Sequence, residues 1–208
     1  MLLQLALDWG KIDDLFALAH TVGVHVDWIE VGTPLIKQHG TALVARTCKE
    51  FPEHTILADM KTADGGPFEV DLAADAGAHV MTVLAAASDA TVRASIARAR
   101  ERGIKVVVDL IGQPDPVARA RQLAALKPDY FNLHRSTDAM QGGVDLRIDL
   151  ISDCRSSIAI PLSVAGGIDL KTVKSVRDAG ASVIVVGGAI TSAKDPAAVA
   201  KQMKESIR

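Results

Sequence analysis

Short apolar, β-branched runs recur along the chain at Leu2–Leu7, Trp28–Val31, Thr55–Ala58, His79–Val83, Lys105–Val108, Tyr130–Leu133, Leu162–Ala165 and Val183–Val186. These eight runs are continuous rather than alternating, which is how strands buried on both faces of a parallel sheet read. Their starts lie about 21–32 residues apart, close to the length of a strand plus a crossover helix. Between them, Ile12–Val22, Thr91–Arg102, Pro116–Leu126 and Lys171–Ala179 carry apolar residues at three- and four-residue spacing and predict helices. Gly23, Gly77, Gly103 and Gly180 follow helical segments, where a left-handed C-terminal cap favours glycine. The fragments Asp75–Val80 and Asp178–Val183 repeat that helix-to-strand corner as DAGAHV and DAGASV.

Eight such units form either an open doubly wound sheet or a closed barrel. The turn after the first strand reads Asp8-Trp9-Gly10-Lys11 and lacks the G-x-G-x-x-G fingerprint of the open nucleotide-binding sheet. The expectation is a compact (β/α)8 barrel, one domain over residues 1–208.

Composition narrows the function. Of 208 residues 49% are hydrophobic and 23% charged, and 23 Lys and Arg stand against 25 Asp and Glu, with no basic run. That pattern predicts no nucleic-acid or anionic-lipid surface and points to a small-molecule partner. No window is apolar enough to span a membrane, and MLLQLALDWG lacks the basic-then-apolar order of a secretory leader, so the expected location is cytoplasmic. Cys48 and Cys154, without C-x-x-C spacing, read as reduced thiols.

Barrel chemistry sits at the C-terminal ends of the strands. There the chain places Asp8, Glu30, Asp59 with Lys61 and Asp64, Asp109, and His134 with Arg135. The last two strands end in Gly166-Gly167 and Gly187-Gly188. Those glycine pairs lie where such barrels bind phosphate, and they let backbone N–H groups approach an anion closely. Glu30 and Asp59, from adjacent strands, offer two hard oxygen ligands suited to Mg²⁺, with Mn²⁺ as the alternative. In the segment Asp59-Met60-Lys61-Thr62-Ala63-Asp64, expected as a loop, Lys61 between acids is suited to stabilising an oxyanion. Histidine titrates near neutrality when unperturbed, and His134 is the candidate acid or base. Trp9 and Trp28 read as wall or packing residues.

The segments Leu3–Asp8, Ile29–Ile36, Ala58–Gly66, Val106–Gly112, Ser163–Ile168 and Val185–Ile190 together resemble the orotidine 5′-monophosphate decarboxylase superfamily. Within it, the likeness is to the branch of 3-hexulose-6-phosphate synthase and 3-keto-L-gulonate-6-phosphate decarboxylase. The D-x-K-x-x-D element and the E-V-G-T-P run carry the resemblance, which covers the whole chain. It implies a homodimer with active sites at the interface, Mg²⁺ on Glu30 and Asp59, and Asp64 reaching the neighbouring site. It also implies that Asp8 binds substrate hydroxyls and that Lys61, Asp64, Asp109 and His134 form the catalytic set, with Arg135, Ala165 and the glycine pairs on the substrate. Both branch reactions pass through a 1,2-enediolate of a pentulose 5-phosphate.

Asp109 in D-L-I-G, Ala165 before the glycines, and Thr137 in place of a second Arg after His134 favour the synthase, whose substrates are ribulose 5-phosphate and formaldehyde. Arg135-Ser136, by contrast, is decarboxylase-like. The alternatives are therefore the decarboxylase, a related sugar-phosphate lyase, or a non-catalytic sugar-phosphate-binding barrel. A ribulose-phosphate epimerase fits less well, because histidines at successive strand ends are missing.

Overall fold

The computed structural model describes all residues, Met1–Arg208. Eight strands, β1 (Leu2–Leu7), β2 (Trp28–Val31), β3 (Thr55–Thr62), β4 (Val80–Leu84), β5 (Lys105–Asp109), β6 (Tyr130–His134), β7 (Leu162–Ala165) and β8 (Val183–Val186), pair in sequence order into a closed parallel barrel. Closure is made by β1 on β8, with Leu2 opposite Val183 and Leu5 opposite Val186. The connections carry helices α1 (Ile12–Val22), α2 (Thr33–His39), α3 (Thr41–Glu50), α4 (Gly66–Asp75), α5 (Asp89–Arg102), α6 (Pro116–Ala124), α7 (Thr137–Gln141), α8 (Ile148–Ser157), α9 (Val173–Asp178), α10 (Gly188–Thr191) and α11 (Pro196–Ser206). No helix is long and apolar enough to cross a membrane.

Side chains alternate across each strand. In β1, Leu3, Leu5 and Leu7 are buried in the main core, whereas Gln4, Ala6 and the following Asp8 line the barrel cavity. A buried leucine of this kind contributes roughly 1.5–3 kcal/mol. The barrel interior has its own smaller core, in which Trp28, Leu57, Val80, Val107 and Val183 cluster. Trp28 meets Tyr130 edge-to-face there, with ring centroids 5.3 Å apart, so the tryptophan is a packing residue. Helix ends follow local chemistry: Asp115 and Asp195 each cap a Pro-initiated helix by accepting from the N–H three residues on, at 2.9 and 3.0 Å.

Three expectations change. Strand β3 runs four residues further than its apolar run, because a bulge between Ala58 and Thr62 renews pairing with β4. Asp59 and Lys61 therefore lie on a strand rather than in a loop. Strand β4 begins at Val80, since His79 uses its Nδ1 to accept from the Ile56 N–H at 2.9 Å. Gly77, Gly103 and Gly180 take positive φ, but Gly23 has φ −51° and opens a 3-10 turn, so it needs no left-handed freedom.

Candidate active site

A cavity of about 520 Å³ opens at the C-terminal ends of the strands. Asp8, Glu30, Asp59, Lys61, Asp109, His134, Ala165, Gly166, Gly167, Gly187 and Gly188 all line it. Two expected residues do not. Asp64 is exposed and uses Oδ1 to accept from the Gly65 N–H at 2.8 Å. Arg135 turns its guanidinium onto backbone carbonyls outside the cavity.

Lys61 sits on the bulge of β3 with φ +46°, an uncommon conformation for a residue with a side chain. It is held there by its own N–H, which donates to Thr82 Oγ1 at 2.8 Å. Its ammonium pairs with Asp59, donates to Thr33 Oγ1 at 3.2 Å and lies 3.9 Å from Asp109 Oδ2. Asp59 also accepts from the hydroxyls of Thr33 and Thr82, each at 2.7 Å. Burial opposes ionisation of Asp59, but the Lys61 charge and these hydrogen bonds outweigh it and hold the carboxyl below its usual range. Burial likewise opposes the Lys61 ammonium, and Asp59 and Asp109 overcome it, so its pKa is raised and the lysine stays charged.

Glu30 is the opposite case. It is buried, its one hydrogen-bond partner is the Gln4 amide, and Asp59 and Asp8 stand nearby. Burial first, then those two carboxylates, push its pKa well above the ordinary value. Asp8, whose carboxylate lies beside Gly32 and Gly187, is raised for the same reasons, burial leading and Asp59 next. A Cβ on Gly32 would come within 2.1 Å of Asp8 Oδ1, so the glycine makes room for that acid.

His134 Nδ1 is 2.9 Å from Asp109 Oδ2. An ionised aspartate only accepts, so in the neutral ring the proton is on Nδ1 and the lone pair on Nε2. Asp109 is fixed in turn by the Ile111 N–H, which donates to Oδ1 at 2.9 Å.

No group of three or more His, Cys, Asp or Glu side chains forms a ready metal cage. Mg²⁺ requires only one or two carboxylates beside water and substrate. The donor set fits it: Glu30 is a buried carboxylate with no cationic partner of its own, and Gln4 Oε1 beside it is buried without a hydrogen-bond partner.

Sequence reading missed Gln4, Thr33, Thr82, Asn132 and Ser163, which all line the cavity. The signal was present in period two: Gln4, Ala6 and Asp8 share one face, as do Asn132 and His134. A polar residue inside an apolar strand, two or four positions before a mouth residue, marks the inner wall.

Residues 1–203 match the Orotidine 5'-phosphate decarboxylase / HUMPS family. The chain belongs to this family. It is 40% identical over 208 residues to a 3-hexulose-6-phosphate synthase of Mycobacterium gastri, covering 100% of both chains. The solved 3-hexulose-6-phosphate synthase of Salmonella typhimurium superposes with a TM-score of 0.95 at 38% identity, over 100% of this chain and 98% of that one. A solved 3-keto-L-gulonate-6-phosphate decarboxylase of Vibrio cholerae superposes with a TM-score of 0.88 at 30% identity, over 99% and 96% of the two chains. The barrel expectation holds, and the chain is an enzyme of carbon–carbon lyase type.

Proposed function

We propose that the protein joins formaldehyde to ribulose 5-phosphate, the 3-hexulose-6-phosphate synthase reaction. The carrying observation is the convergence of His134, Lys61, Asp59 and Glu30 on one cavity, in a chain that matches synthases over its full length. Mg²⁺ held by Glu30 and Asp59, when bound, acts as a Lewis acid on the oxygens of the sugar.

The chain's own residues account for the proton and charge movements. His134 Nε2 removes a proton from C1 of ribulose 5-phosphate, and the electron pair moves into the C2 carbonyl to give the enediolate. Asp109 positions the ring and stabilises the imidazolium through Nδ1. The Lys61 ammonium, charged and anchored, stabilises the developing oxyanion. As the C2 carbonyl re-forms, C1 attacks the formaldehyde carbon, forming the new C–C bond, and the resulting alkoxide takes up the proton that His134 removed. Asp8 accepts hydrogen bonds from substrate hydroxyls, and the glycine turns of β7 and β8 take the phosphate.

The exposed Asp64 serves a second copy of the chain in a homodimer. The exposed Phe68 at the start of α4 is suited to that interface. Light scattering on the purified protein checks the dimer.

Formaldehyde consumption with ribulose 5-phosphate and Mg²⁺, run with and without EDTA, tests the reaction. Consumption that needs both sugar phosphate and metal supports it; none, from a folded protein, refutes it. Arg135-Ser136 keeps one second reading in view, decarboxylation of 3-keto-L-gulonate 6-phosphate through the same enediolate. Pentulose phosphate released from that substrate, without formaldehyde consumption, selects it.

A further inference from the structure

Arg135 follows His134 directly, yet its half-buried side chain leaves the cavity. Nε donates to the Gly166 carbonyl at 3.1 Å, Nη1 to the Val144 carbonyl at 2.8 Å, and Nη2 reaches the Gly167 carbonyl at 3.5 Å. The guanidinium thus engages three carbonyls and no carboxylate.

The carbonyl and N–H of a trans peptide point in opposite directions. With the Gly166 carbonyl on Arg135, the Gly167 N–H is aimed away from the guanidinium. The Gly167 carbonyl orients the Ile168 N–H in the same way. Neither N–H, nor that of Gly166, donates to any group of the chain. Gly166 and Gly167 line the cavity and Arg135 and Ile168 do not, so the free N–H groups of Gly166 and Gly167 are the ones on the cavity side. A cation on a peptide carbonyl also polarises that peptide and strengthens the donor at its other end.

Among the Lys and Arg side chains, only that of Lys61 lines the cavity, and Asp59 engages it. An anion at the β7–β8 end therefore meets backbone N–H groups and the hydroxyls of Thr191 and Ser192, with no cationic side chain beside it. The nearby glycines are fitted to the arginine. A Cβ on Gly166 would lie 2.2 Å from the Arg135 carbonyl oxygen, and one on Gly167 2.2 Å from Nη2.

We propose that Arg135 is a positioning residue for the phosphate group of the substrate, holding the Gly166–Gly167 peptide with the Gly167 N–H aimed at the cavity without touching the phosphate. Through Val144 it also fastens the segment between α7 and α8 to the same turn. The proposal rests on a phosphorylated substrate, and its test is separable from the choice of that substrate.

Arg135→Ala and Arg135→Lys in the full chain are compared with wild type by calorimetric titration with inorganic phosphate and by kcat and KM for ribulose 5-phosphate. Arg135→Ala is expected to weaken phosphate binding and raise KM by about tenfold each, the size of one lost charge-assisted hydrogen bond, with kcat within about threefold. Arg135→Lys is expected not to restore either, because a single ammonium cannot reproduce the planar fork on these carbonyls. Unchanged phosphate affinity in a folded Arg135→Ala variant overturns the proposal, as does a loss confined to kcat. Full recovery by Arg135→Lys also overturns it, since that is the behaviour of a point charge on the phosphate. If Arg135→Ala does not fold, Arg135→Gln keeps one donor for the Gly166 carbonyl and is expected to weaken phosphate binding by a smaller factor; no weakening overturns the proposal. A wild type that turns over no pentulose phosphate, with the phosphate arm still dependent on Arg135, refutes the proposed reaction and leaves Arg135's role intact.

Discussion

On the β1–β3 side of the barrel mouth the chemistry resides in ionisable side chains, Asp8, Glu30, Asp59 and Lys61, packed closely enough to shift one another's pKa values. On the β7–β8 side Gly166, Gly167, Gly187 and Gly188 line the cavity with backbone alone, and the cation serving Gly166 and Gly167, Arg135, stands behind them. The first side depends on which atoms are present; the second depends on which are not, because a Cβ added at Gly166 or Gly167 collides with Arg135. Changes on the charged side should therefore act mainly on kcat, and changes on the glycine side mainly on KM.

The largest expected effect is that of Lys61→Ala. It removes the oxyanion-stabilising cation and leaves Asp59 buried without its ion pair, so kcat should fall by at least about a thousandfold. Binding of inorganic phosphate, read by calorimetry, should persist within about threefold. Loss of phosphate binding in a folded variant would show that the two sides are not separable.

Asp109→Asn comes next. The amide can present its N–H to His134 Nδ1, which reverses the tautomer and removes the lone pair from Nε2; kcat should fall by about a hundredfold. Asp109 acts through the imidazole, so the pH profile of kcat should change shape as well as height. A uniform loss at every pH would assign Asp109 to folding instead.

Gly166→Ala probes the other side. The position has φ +104° and its added methyl meets the Arg135 carbonyl oxygen. The variant should lose roughly 1–3 kcal/mol in urea unfolding and raise KM about tenfold while sparing kcat.

The same contrast explains what the sequence made legible. Asp8, Glu30, Asp59, Lys61, Asp109 and His134 could be found because strand ends and side-chain type together announce them. The eight strands were legible because parallel strands are apolar on both faces. The bulge at Lys61 was hidden, since it arises from pairing with β4 and from Thr82, residues distant in sequence. The turn of Arg135 out of the cavity was hidden, because adjacency to His134 says nothing about which way a strand-end side chain turns; the carbonyls of Gly166, Gly167 and Val144 decide that. Asp64 carries the signature spacing of its motif and still lies outside the cavity of its own chain.

The smallest expected effect concerns protons on the charged side. Burial, then Asp59 and Asp8, raise the pKa of Glu30 in the folded protein above the ordinary 4.5. The folded state then binds more protons than the unfolded state between those two values. Stability of the metal-free protein should fall as pH rises from about 4.5 through the raised pKa and level off above it. A divalent cation on Glu30 and Asp59 replaces that proton, so its stabilising effect should be small in acid and grow with pH over the same window. Thermal unfolding with Mg²⁺ or with EDTA, at about pH 5 and about pH 8, should show the larger difference at the higher pH, by a few degrees. In Glu30→Gln the carboxylate is gone, and the pH dependence of that difference should shrink. If Mg²⁺ raises Tm equally at both pH values in wild type, Glu30 is not the group that exchanges its proton for the metal.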